Sequence, residues 1–156
     1  YSHDGKWLAT GSSDDTVVLW DAATLKSVAT LKGHTDTVNA VRFSPDDKLL
    51  ASAGSDGKIF IWDVSARKEK SSFSAHKGGV NCLAFAKDTG KLVSGGADNV
   101  ARIWNHEEGE EIAAFEGHTD WINDIAISAD GKTLATASDD ETAKIWNAPS
   151  EPKSKQ

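Results

Sequence analysis

Four tryptophans, Trp20, Trp62, Trp104 and Trp146, stand 42 residues apart, with no insertion or deletion between the first and the last. A fixed step of that length marks a chain built by stacking one supersecondary unit, since each unit can bury its apolar faces only against its neighbours. Other positions keep the same step: Asp14, Asp56, Asp98 and Asp140; His34, His76 and His118; Asp4, Asp46, Asp88 and Asp130; and a hydroxyl at Thr10, Ser52, Ser94 and Thr136. The chain is therefore read as four copies of one unit.

Each unit reads as four short strands with turn chemistry between them. In the second, Val38 to Phe43 is a β-rich run ended by Ser44-Pro45-Asp46-Asp47. Leu49 to Gly54, the turn Ser55-Asp56-Gly57, Lys58 to Asp63 and a more polar run from Lys70 to Ala75 follow. The third strands, Thr16 to Asp21 and Lys58 to Asp63, are apolar at successive positions where a half-exposed strand would alternate. Both of their faces must then be covered. Sheets stacked face to face around an axis provide that cover. They leave the last strand of each unit, with Lys26, Lys32, Lys68 and Lys70 nearby, as a wet outer edge.

A formal net charge of -7 argues against a nucleic-acid partner, which requires a basic face. Only Arg42, Arg67 and Arg102 carry guanidinium groups, at unrelated positions of the repeat, so no cluster suited to a phosphopeptide is expected. Cys82 is the single cysteine, which rules out an intrachain disulfide and is compatible with a reducing, cytoplasmic setting. No stretch approaches the roughly 18 apolar residues of a membrane helix, and no membrane partner is expected. Gly78-Gly79 and Gly95-Gly96 lack the Lys-Ser/Thr sequel of a phosphate loop, and no cofactor is expected.

The dipeptides Gly33-His34 and Gly117-His118, with Trp20-Asp21 and Trp62-Asp63, resemble WD40 repeats over roughly residues 1 to 147. Departures are mild: Ala75 precedes His76, and Asn105 and Asn147 follow their tryptophans. The resemblance implies an all-β chain of β-propeller blades, each a four-stranded antiparallel sheet, with repeats ending near 21, 63, 105 and 147. It also implies that the repeated polar residues form hydrogen-bonded chains inside the blades. Those chains would be His34, Ser52, Asp56 and Trp62; His76, Ser94, Asp98 and Trp104; and His118, Thr136, Asp140 and Trp146. The first unit retains only Thr10, Asp14 and Trp20 and is expected to be the loosest.

His, Ser or Thr, and Asp together invite comparison with a hydrolase triad. A catalytic constellation is built once, at one cleft; these residues recur in every unit with a tryptophan in step, as a fastening does. Zinc is not expected either, because ligands one blade apart point into different sheets and cannot converge within about 2 to 2.3 Å of a point. His3 and His106 read as solvated turn residues.

Function then falls to the surface. In the family resembled, contacts cluster on the face carrying the loop before the first strand and the turn after the second. Carried onto this sequence, that picks Asn39, Asn81 and Asn123; Thr37, Gly79 and Trp121; and Ser13, Ser55, Ala97 and Asp139. Trp121 stands out, since its counterparts are Thr37 and Gly79 and the repeat does not require an aromatic there. Trp7, matching Leu49, Lys91 and Thr133, reads as local packing.

Tyr1 corresponds to Phe43, so the chain is expected to supply three strands of one blade, two complete blades and three strands of a last one. Residues 148–156 read as a disordered polar tail. The expectation is a C-terminal portion of a longer propeller, seven-bladed as the resemblance implies, whose open blade faces favour self-association. The expected function is a non-catalytic scaffold binding a protein or peptide. The alternative is the recognition or regulatory arm of a larger signalling enzyme such as a kinase.

Overall fold

The computed structural model describes residues 1–149 as fourteen strands in four antiparallel sheets. The first blade holds β1 (Trp7–Gly11), β2 (Thr16–Asp21) and β3 (Lys26–Lys32); the second holds β4 (Val38–Phe43), β5 (Leu49–Gly54), β6 (Lys58–Asp63) and β7 (Lys68–Ser74). The third is β8 (Val80–Phe85), β9 (Leu92–Gly96), β10 (Ala101–Asn105) and β11 (Glu110–Phe115), and the fourth is β12 (Ile122–Ile127), β13 (Thr133–Ser138) and β14 (Ala143–Asn147). Strands pair in chain order within every sheet. The all-β class and the division into two four-stranded blades flanked by two three-stranded ones match the expectation. The tail expected at 148–156 lies outside the described residues from 150 on. Ala148 and Pro149 are held: the Ala148 amide donates to the Lys132 carbonyl at 2.8 Å, and the Lys91 ammonium donates to the Pro149 carbonyl at 3.1 Å.

Turn chemistry fixes the register. Asp15, Gly57, Asn99 and Glu141 occupy the same repeat position, and all take a left-handed backbone, with φ between 65° and 75°. A hairpin turn demands that conformation, and Gly, Asn and Asp are the residues that accept it most readily. Leu25 and Arg67 keep φ at 55°, where the third blade has Gly109. At this turn the outer strand departs from expectation. In the second blade it runs Lys68–Ser74, two residues earlier than the polar run suggested. The Asp63 carboxylate accepts from the Ala66 amide and the Ser65 hydroxyl, closing the turn at Arg67 and pairing Lys68 with Asp63 at once.

Three apolar joints hold the blades together. Each blade turns a forward face to the next one and a rear face to the one before. Val17 and Leu19 of the first blade meet Leu50, Phe60 and Trp62 of the second. Ala51, Ala53, Ile59 and Ile61 of the second meet Leu83, Leu92 and Trp104 of the third. Val93, Ala101 and Ile103 of the third meet Ile125, Leu134 and Trp146 of the fourth. Glycines mark where these faces come too close for a side chain: a Cβ on Gly95 would lie 2.5 Å from Ile122, and one on Gly33 2.5 Å from the Phe60 ring. The Phe60 position is Arg102 in the third blade. There the guanidinium turns to Asp98 and Glu111, and Ala75 takes the place of the glycine.

Cover on both faces of the third strands, expected from their composition, holds for β6 and fails for β2. Ile59 to Trp62 are buried in succession, but Val18 and Trp20 are only half-buried. No sheet stands behind the first blade among the described residues, and composition cannot register a missing neighbour.

Candidate functional site

The recurring polar residues come together in the last three blades. In the second, the Trp62 indole N–H donates to Ser52 Oγ at 2.8 Å, Ser52 Oγ lies 2.9 Å from His34 Nε2, and His34 Nδ1 lies 2.9 Å from Asp56. A carboxylate can only accept, so Nδ1 carries the proton, Nε2 accepts, and the serine hydroxyl donates to it while accepting from the indole. The chain runs one way and each link fulfils its neighbour. The third blade repeats it at 2.8, 2.7 and 2.7 Å through Trp104, Ser94, His76 and Asp98. The fourth does so at 2.9, 2.7 and 2.6 Å through Trp146, Thr136, His118 and Asp140. Beyond the histidine, each carboxylate ties down backbone: Asp56 accepts from the amides of Thr35 and Lys58, Asp98 from those of Lys77 and Val100, and Asp140 from those of Thr119 and Thr142. These bonds lock the loop before each first strand to the turn after the second.

In the first blade, Trp20 donates to Thr10 Oγ1 at 3.0 Å, but Thr10 is exposed, and Asp14 accepts instead from the amide and hydroxyl of Thr16.

Burial and hydrogen bonding compete to set the proton affinities. Burial pushes the His76 imidazole below its usual value despite the adjoining Asp98, and Arg102 adds to that push. Burial also raises Asp98, but the hydrogen bond and charge of His76, the Lys77 amide and the Arg102 charge outweigh it and hold the carboxyl well below the usual range. The Thr142 hydroxyl, then His118, hold Asp140 low in the same way. Cys82 is pushed up to about 12 by burial, which leaves it an unreactive thiol.

The residues singled out on the loop face also meet in pairs. The Ser55 amide donates to the Thr37 carbonyl at 2.8 Å, that of Ala97 to Gly79 at 2.9 Å, and that of Asp139 to Trp121 at 2.9 Å. Ser13 is exposed on the equivalent turn of the first blade. The asparagines serve a purpose that sequence reasoning missed. Asn39 Nδ2 donates to the Val80 carbonyl at 3.0 Å and Asn81 Nδ2 to the Ile122 carbonyl at 3.1 Å, each reaching across to the next blade. Asn123, on the last blade, donates to Asp139 instead. Trp121 is 52% exposed. Trp7 is half-buried against the first joint.

Of the two histidines read as solvated turn residues, only His106 needs correction. His3 is exposed, but its Nδ1 lies 2.8 Å from Asp47, and its amide donates to the same carboxylate, tying the first blade to the second. The loops bring the pair together across 44 positions, which no local signal announces. His106 is half-buried, edge-on to Phe85 at 5.6 Å, with its proton affinity lowered by desolvation. It lines a half-open cleft of about 650 Å³ with Lys91, Trp104 and the acidic stretch Glu107 to Glu111. Among the described residues, no three His, Cys, Asp or Glu side chains are placed to hold a metal ion.

The family described as WD domain, G-beta repeat matches residues 1–21, 25–63, 67–105 and 109–147. The nuclear distribution protein nudF of Aspergillus niger is 46% identical over 44 residues, 28% of this chain and 10% of that protein. Coatomer subunit beta'-1 of Arabidopsis thaliana is 50% identical over 42 residues, 27% of this chain and 5% of that one. The lissencephaly-1 homolog of Dictyostelium discoideum is 51% identical over 39 residues, covering 25% and 9%. Each match is about one repeat long and spans a tenth or less of the relative's length.

Proposed function

The chain belongs to the WD40-repeat family, and on that premise we propose that residues 1–147 form a non-catalytic scaffold that takes up a protein or peptide through the loop face, with Trp121 as its anchor. WD40 repeats are generally interaction modules, and one of the relatives is by name a subunit of a larger assembly. The observation that carries the reading is the exposure of Trp121 on a loop whose backbone is fastened to the neighbouring turn at Asp139. A large aromatic held on a rigid support loses little entropy on binding, and such residues carry a disproportionate share of binding energy. Asp120 and Asp139 beside it favour a partner that brings positive charge.

The hydrogen-bonded chains support the non-catalytic half of the proposal. Ser52 and Ser94 have no exposed surface, and each hydroxyl already donates to its histidine and accepts from its tryptophan. A nucleophile needs a substrate beside it, and nothing can reach these oxygens.

The test is affinity capture with the parent chain, followed by binding of the captured protein to Trp121→Ala. Loss of a hot spot raises Kd by a factor of roughly 30. Equal affinity of parent and variant would remove Trp121 from the reading.

A further inference from the structure

A groove lies on the face opposite the loop face, where the turn after each first strand and the turn after each third strand meet. Its larger part is the cleft of about 650 Å³ beside Lys91, His106 and Glu107 to Glu111. A second cleft of about 330 Å³ adjoins it and reaches Pro45, Leu49 and Phe85. Gly90, His106 and Glu107 line both, so the two form one groove running from the second blade to the third. The third blade is four-stranded and packs against a neighbour on each face, so the groove owes nothing to an uncovered blade.

The two parts differ in chemistry. Leu49 and Phe85 sit half-buried at the rim of the second joint, and the His106 ring stands edge-on to Phe85 at 5.6 Å. Desolvation lowers the proton affinity of His106, so at neutral pH the ring extends this apolar floor without adding charge. The other part is walled by Glu107, Glu108, Glu110 and Glu111. The fold does not require them: at the same positions the second blade has Ser65, Ala66, Lys68 and Glu69, and the first has Ala23, Thr24, Lys26 and Ser27. His106 likewise stands where those blades have Val64 and Ala22. Lys87 and Lys91 are outnumbered along the groove by these glutamates and Asp46, and Arg102 offsets Glu111 at 2.9 Å.

We propose that this groove receives a segment of a partner protein in which an apolar side chain stands beside arginine or lysine. The apolar side chain seats against Leu49 and Phe85, and the cations face Glu107 to Glu111. Concave sites of a few hundred Å³ with an apolar floor and convergent polar groups are the usual form of a binding pocket, and opposite charge across the contact selects the partner. The site is separate from Trp121, so the blades can hold one protein on each face.

Fluorescence anisotropy tests this with labelled octapeptides that carry one leucine and two arginines at varied spacing among glycine and serine. The parent chain binds the best of them saturably. Glu107→Lys, at an exposed position, raises its Kd about tenfold or more, and so does replacing the peptide's leucine by serine. Glu116→Lys makes the same change of charge on an exposed residue at the other end of the strands and binds like the parent, which separates a site from general attraction to a net charge of -7. Trp121→Ala also binds like the parent, and near-UV circular dichroism reports the native fold of each variant. Absence of saturable binding to the parent overturns the proposal, as does a Glu107→Lys chain that binds like the parent or no worse than Glu116→Lys. Indifference to the leucine overturns it too. Binding abolished by Trp121→Ala would assign the peptide to the loop face and overturn it while leaving the loop-face reading intact.

Discussion

The second and first blades contain the same bond in different surroundings. Trp62 donates to Ser52 at 2.8 Å with the indole 2% exposed and the hydroxyl fully buried; Trp20 donates to Thr10 at 3.0 Å with the indole half-buried and the hydroxyl in water. The geometry barely differs. What differs is the neighbour: the first blade lies in front of Ser52 and Trp62, and nothing described lies behind Thr10 and Trp20. A hydrogen bond that water can replace contributes little, while a buried group that loses its partner keeps its full desolvation cost. The repeat therefore writes the indole-to-hydroxyl bond into every blade, and packing, together with the histidine link that the first blade lacks, decides which of them stabilises the fold.

The largest way to break that comparison is Ser52→Ala. It strands two buried neutral groups, the Trp62 N–H and His34 Nε2, at about 1 to 3 kcal/mol each. At about 2 to 4 °C per kcal/mol for a domain of this size, the melting temperature falls by several degrees or more. An unchanged melting curve would remove the fastening role.

Acid attacks the third and fourth blades next. His76 has its proton affinity lowered on folding, so the unfolded chain binds that proton more readily and stability falls as pH drops below about 6.5. Asp98 and Asp140 are also held low, so their contribution, present above the unfolded value of 3.8, is lost as pH falls through the acid range. All three slopes have the same sign. Thermal melts from pH 7 to pH 2 should show loss first from the imidazole and then, below about pH 4, from the carboxylates, and a flat profile would mean that the native carboxylates and imidazole titrate as they do unfolded.

Arg102→Gln sharpens the contrast between the second blade, where Phe60 lies over His34, and the third, where a guanidinium contacts Asp98 and His76. Removing that charge should move the Asp98 carboxyl toward its ordinary value in an NMR titration. The smallest effect is expected at the edge: Thr10→Ala should cost no more than about 0.5 kcal/mol, because its oxygen and the Trp20 N–H both reach water. A loss there equal to that of Ser52→Ala would mean that the first blade is covered.

The period made the repeated units and their strands readable from the residues, because every copy repeats both the chemistry and its spacing, while the four-membered chains were expected from the resemblance to WD40 repeats. What escaped is what the period does not carry. The Asp47 tie to His3 joins loops of different blades, and His106 gains its burial from Phe85, at a position where the other units have no histidine. Asn39 and Asn81 do keep the step, and Asn at a strand position is an available signal. Reading them as inter-blade latches requires knowing that the next blade's carbonyl lies within reach. The open faces were legible only in part. Composition made β2 look like an interior strand, since its residues are those of a covered joint.

Hydrogen exchange at the indole nitrogens tests the central claim most directly, since each tryptophan reports on its own blade. The Trp62 and Trp104 indole protons should exchange only on global unfolding, and that of Trp20 far sooner, through local opening or directly to solvent. Equal protection of Trp20 and Trp62 under conditions where the chain is monomeric would contradict the claim that the neighbouring blade, and not the bond itself, makes the fastening hold.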